Sequence, residues 1–136
     1  MNRRAQREKV FKLLFRVEFN DIEEMDGQAQ HFLSEEMDLD ENVSEEILEK
    51  ITARVDEIIA KLPELDGLIA DNLTGWTIDR IGKIELTILR LAVFEIKYDE
   101  GVPTSVAINE AVELSKKYGQ DDSGAFVNGV LAKFAS

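Results

Sequence analysis

The amino-acid sequence predicts an all-α fold, a bundle of about seven helices around a buried central helix at residues 78–99. The main observation is the stretch IDRIGKIELTILRLAVFEIKY at 78–98. Its Ile84, Leu86, Ile88, Leu89, Leu91, Ala92, Val93, Phe94 and Ile96 leave too little polar surface for one solvated face, so the segment is enclosed on most sides. Strand is the rival reading for a run rich in β-branched residues. However, about 20 residues with no glycine-containing turn after Gly82 exceed the usual strand length. The second observation is a 3.6-residue recurrence of apolar side chains in the other segments. The third is punctuation by Pro63, by Gly101-Val102-Pro103 and by Gly119, which divides the chain into helix-length pieces.

At 136 residues the chain suits one domain with a single core, large enough to bury roughly two thirds of its unfolded surface without cross-links. It has no cysteine, which excludes disulfides, thiolate zinc sites and cysteine nucleophiles. The longest apolar run falls far short of a membrane span. The basic start lacks the apolar core and cleavage site of a signal peptide, so a cytoplasmic protein is expected. Net charge is −12, and its distribution is uneven. Residues 1–16 carry six basic side chains against Glu8 alone, residues 17–66 hold 17 acids and three bases, and residues 67–136 hold ten acids and seven bases. Two readings fit the acidic middle: a solvated surface, or a docking surface for a basic partner.

Taken in order, Arg4 to Phe19 form an amphipathic helix. At about 100° per residue, Val10, Leu13, Leu14 and Val17 share one arc, flanked by Phe11 and Phe15, and Lys9, Lys12 and Arg16 lie opposite. Arg3, Arg4 and Arg7 place positive charge at a helix start that is itself positive, which costs about 0.3–1 kcal/mol per charge. An anionic ligand accounts for that arrangement, since arginines and free helix N–H groups both favour phosphate; a solvated charged tail is the other reading. Residues 20–43 read as a turn, a short helix near 28–37 and an acidic loop, DLDEN. His31, the only histidine, reads as a lone surface or core residue. Asp38, Asp40, Asn42 and Glu49 have the spacing of calcium-loop ligands, but Val43 stands where that loop needs glycine, which argues against it.

Asn42 or Ser44 caps the next helix, marked by Ile47, Leu48, Ile51, Val55, Ile58, Ile59 and Leu62 and ended by Pro63. A helix near 64–73 follows, and then Trp76, read as a core anchor at the corner between two halves. Thr77 is the expected cap of the central helix. Thr104 or Ser105 opens a helix that buries Val106, Ala107, Ile108, Ala111, Val112 and Leu114 and ends at Gly119 in a left-handed conformation. Asp121, Asp122 and Ser123 are capping candidates for the last helix, in which the interior Gly129 suggests close approach of a neighbouring helix.

From Arg80 to Leu131 the sequence resembles the NusB family of bacterial transcription antitermination factors. The resemblance rests on IELTILRLAVFEI, VPTSVAINEAVELSKKYG and DDSGAFVNGVL, in that order and with short connections; RRAQREKVFKLLF is similar to the family's arginine-rich first helix. The resemblance implies a single RNA-binding domain over 1–136, in two packed helical subdomains of about 1–74 and 75–136. It also implies binding of the single-stranded boxA element of ribosomal RNA transcripts, as a heterodimer with ribosomal protein NusE, within an RNA polymerase antitermination complex. Carried over residue by residue, the RNA side is Arg3, Arg4, Arg7, Phe15, Tyr118, Asp122 and Phe126, and the partner side includes Glu85. Phe15 departs from the tyrosine often found at its position and loses a hydroxyl. No cofactor, metal or catalytic residue is implied, and a homodimer of the free protein stays open.

The residues themselves support a weaker version of the same reading. Single-stranded RNA is held by aromatic faces and by cations along its phosphates, roles open to Phe15, Tyr118, Phe126 and the basic arm. Core packing is the competing role for Phe15 and Phe126, and helix capping for Asp122. No phosphate-cradling glycine loop, metal cluster or nucleophile with a base stands out. Two other classes fit an all-helical chain. One is the RNA-recruiting domain of a ribosomal RNA cytosine methyltransferase, whose catalytic half needs an α/β domain and cysteines that these residues lack. The other is a protein-interaction module without an RNA role.

Overall fold

The computed structural model describes residues 1–39 and 43–135. Among these are seven α-helices and no strand, the all-α class expected. The helices are α1 (Arg3–Phe15), α2 (Met25–Leu39), α3 (Glu45–Ala60), α4 (Leu62–Asp71), α5 (Lys83–Tyr98), α6 (Thr104–Tyr118) and α7 (Ser123–Ala132). Short 3₁₀ turns occupy Arg16–Glu18, Ile22–Glu24 and Ile78–Arg80. The chain divides into two compact units, Met1–Ala60 and Lys61–Ser136. Helix α4 belongs to the second, where it packs on α5. Its Leu62, Leu65 and Ile69 are buried, and its Asp66 holds Arg90 of α5 through two hydrogen bonds of 2.8 Å.

In the first unit, Asn2 caps α1, its side-chain oxygen accepting from the Ala5 N–H at 2.8 Å and its carbonyl from Gln6 at 3.0 Å. The apolar arc is then Val10, Phe11, Leu13 and Leu14. These side chains are buried, as are Leu48, Ile51, Val55 and Ile58 of α3, on which α1 packs. The expected helix to Phe19 gives way to a 3₁₀ turn after Phe15, which leaves Val17 half-buried. Arg16 does not join a solvated basic face. Its guanidinium donates to Gln28 Oε1 at 3.1 Å and Glu35 Oε2 at 3.2 Å and lies 5.3 Å from the centre of the buried Phe32 ring. Helix α2 is longer than expected and already includes Asp38. That removes the extended loop a calcium site would need, while Asp40 and Asn42 lie outside the described residues. Exposed His31 reaches Glu35 at 2.9 Å, and Ser44 caps α3 by accepting from the Ile47 N–H at 3.2 Å.

The second unit is built around α5, which packs on α4, α6 and α7 and buries every residue from Leu86 to Glu95 except Arg90. This is the enclosure expected of the central segment. Its start differs, however. Residues 78–80 form a 3₁₀ turn, Ile81 is extended (φ −74°, ψ 140°) and Gly82, not Thr77, is the cap residue, so the α-helix opens at Lys83. On α6 the buried stripe is Ala107, Ile108, Ala111, Leu114 and Ser115; Val106 falls roughly 80° outside that arc and is exposed.

Gly119 is not left-handed (φ −91°, ψ −171°). A Cβ there would lie 2.6 Å from Ser123 Cβ and Oγ and 2.8 Å from the Ser115 carbonyl oxygen, so glycine is required by the closeness of α7 to the end of α6. Gly129, expected at a close helix approach, is exposed and has no atom within 4 Å of its Cβ position. The close approach is therefore made at the start of α7 and not in its interior.

Candidate functional site

Residues 72–82 and the start of α7 form the most feature-rich surface of the second unit. The turn after α4 passes through Gly75, whose φ of +78° is the left-handed conformation that favours glycine. Lys133, just past α7, donates from Nζ to the Asn72 carbonyl and to Thr74 Oγ1, both at 2.7 Å, and so ties the turn down. A lysine beside the last carbonyls of a helix also complements the α4 dipole. Trp76 follows. The expected core anchor is 55% exposed, because a turn held from behind by Lys133 presents the ring outward. It meets Phe126 of α7 in a T-shaped contact with centroids 6.5 Å apart.

Below these rings is an open pocket of about 170 Å³ lined by Trp76, Arg80, Ile81, Gly82, Glu85, Asp122, Ser123 and Phe126. Its floor is hydrogen-bonded. Ser123 Oγ donates to Glu85 Oε1 at 2.6 Å and accepts from the Gln120 N–H at 2.9 Å, so a buried hydroxyl joins the first turn of α5 to the start of α7. Gly82 leaves room for this, since a Cβ there would lie 2.5 Å from Glu85 Oε2. Asp122 occupies the cap position of α7 yet makes no side-chain cap bond. Asp122 therefore does not cap α7 through its side chain. The exposed Asp122 carboxylate and the exposed Arg80 guanidinium stand at the pocket with its two rings.

Three of the sequence-derived residues, Glu85, Asp122 and Phe126, therefore share one pocket. Tyr118 lies outside its lining; it is half-buried at the end of α6, with Lys117 Nζ 5.5 Å from its ring centre. In the first unit, Arg3 and Arg4 are exposed and Arg7 half-buried at a helix start with no acidic residue in its first turn. Half-buried Phe15 stacks on Phe11 (6.2 Å, 20°) and meets the exposed Phe19 edge-on (5.2 Å, 81°), so it is neither fully core nor isolated. Trp76 and Arg80 were not expected at the site. The available signal was the Thr74-Gly75 turn, which takes Trp76 out of any helical periodicity. Among the described residues no group of three or more His, Asp or Glu is placed to hold a metal ion, and no helix is long and apolar enough to cross a membrane.

Comparison with known proteins gives a consistent result. The model of the NusB family matches residues 4–136. A transcription antitermination protein NusB from Agathobacter rectalis is 52% identical over 135 residues, covering 99% of this chain and all of that protein. The protein of the same name from Listeria monocytogenes is 38% identical, covering 99% and 97%. Among solved structures, T. maritima NusB superposes with a TM-score of 0.85 at 33% identity, covering 99% of this chain and 91% of that one. A crystal structure of antitermination factors NusB and NusE in complex with double-stranded RNA gives 0.82 at 26% identity, covering 98% and 95%.

Proposed function

The chain belongs to the NusB family, and from that premise we propose that it is a non-catalytic, cytoplasmic transcription antitermination factor. It binds the boxA element of ribosomal RNA transcripts together with NusE and enters an RNA polymerase antitermination complex. The observation that carries this reading is the family match over nearly the whole chain, with relatives of that name at up to 52% identity. The likeness to NusB solved with NusE and RNA supports the choice of partners.

On this reading Arg3, Arg4 and Arg7 meet phosphates, and Phe15, Tyr118 and Phe126 offer ring faces to unstacked bases. Asp122 accepts from base edges, and Glu85 belongs to the partner side. The absence of an acidic residue from the first turn of α1 and the lack of a cap bond at Asp122 support the assignment, since neither position is explained by helix stability. The test is a salt titration of binding to boxA RNA and to a scrambled control, with and without NusE. About three phosphate contacts give a log–log slope near −2, and neutralising Arg3, Arg4 and Arg7 together should flatten most of it. Equal affinity for the scrambled RNA at every salt concentration, with NusE present, would refute the reading.

A further inference from the structure

We propose that the pocket beneath Trp76 is a seat for a single unstacked nucleobase, with Trp76 as its principal stacking wall and Arg80 as the cation at its mouth. This rests on the RNA-binding reading above and adds to it two residues that the resemblance does not supply. Three observations carry the step. A tryptophan with 55% of its surface exposed is unusual, and here the exposure is built in: a left-handed glycine and a lysine clamp of two 2.7 Å hydrogen bonds hold the turn that displays it. The second ring, Phe126, meets the indole in a T-shaped contact at 6.5 Å (72°), and both rings line the pocket. The polar lining then discriminates between ligand classes. Two carboxylates, Glu85 and Asp122, against one guanidinium repel a phosphate from the interior, and Asp122 can accept a hydrogen bond from the edge of an uncharged base. A base therefore enters, and its phosphate stays outside near Arg80.

Trp76 is the only tryptophan, so the full chain reports on its own pocket. Emission is followed while boxA RNA is added to the protein with and without NusE, and affinity is measured separately for Trp76→Ala, Trp76→Phe, Arg80→Gln and the triple Arg3, Arg4 and Arg7 neutralisation. The expected result is quenching by RNA, a loss of about 5- to 150-fold for Trp76→Ala, the range one base–aromatic stack spans, and a much smaller loss for Trp76→Phe. Arg80→Gln should weaken binding and reduce the salt slope by about 0.7. Thermal unfolding confirms that the exposed-site variants are folded. If Trp76→Ala binds RNA as tightly as the parent and emission does not respond, while the arginine variant loses binding, the pocket is no base seat and the RNA-binding reading survives. Quenching by NusE alone, with no further change on adding RNA, assigns the pocket to the protein partner and also overturns the proposal. No binding to RNA by the parent protein, alone or with NusE, overturns both.

Discussion

At the scale of single residues, two side chains outside the site show how geometry sets energetics. Arg90 is mostly buried (12% exposed) and is satisfied by both Asp66 carboxylate oxygens at 2.8 Å. Asp66→Ala takes the carboxylate away from a largely buried guanidinium, and should lower stability by about 2–3 kcal/mol in denaturant unfolding. Adding Arg90→Met should restore part of the loss, because the costly buried charge goes with it. Tyr98 is the other case. A hydrogen bond to the Glu64 carboxylate, with some desolvation and the carboxylate's charge, raises its phenol above the ordinary value of 10.0. The neutral phenol is the favoured form in the folded state. Any stability it brings is present below pH 10 and is lost as pH rises through the higher folded value. In an ultraviolet alkaline titration, Tyr98→Phe should therefore delete a tyrosine transition lying above pH 10, and Glu64→Gln should move that transition earlier.

At the scale of elements, the contrast between two glycines is testable. Gly119→Ala drives a methyl into Ser123 and the Ser115 carbonyl and should destabilise the second unit. Gly129→Ala meets nothing and, in a helix interior, should stabilise it by about 0.5–1 kcal/mol. Thermal unfolding of both variants gives the two signs. The same pair explains what could be read in advance. Helix number, the burial of α5 and the stripes of α1, α3 and α6 were legible because apolar periodicity reports burial directly. The role of each glycine was not, because a glycine required for φ and a glycine required for closeness look alike in sequence. Trp76 was misplaced for a related reason. Aromatic content predicts burial only on average, and the Lys133 clamp that turns this ring outward is a contact 61 residues away. Asp122 and Phe126 enter the candidate site through the family resemblance alone, since spacing favours capping for the one and core packing for the other.

At the scale of the whole molecule, charge governs. A chain of net −12 repels phosphate except near its first sixteen residues, where the basic side chains gather. On the proposed reading, a basic partner docked on the acidic segment would relieve that repulsion. The advantage of NusE for RNA affinity should therefore shrink as salt rises and the screening length falls from about 10 Å at 0.1 M to about 3 Å at 1 M. RNA titrations at several ionic strengths measure it, and an advantage independent of salt would remove electrostatic relief as its cause. The Lys133 clamp has a consequence in time as well. It fixes a turn 61 residues earlier. Translation delivers it after everything else around that turn. A nascent chain stalled before residue 133 would carry the indole on a turn without its lysine tether.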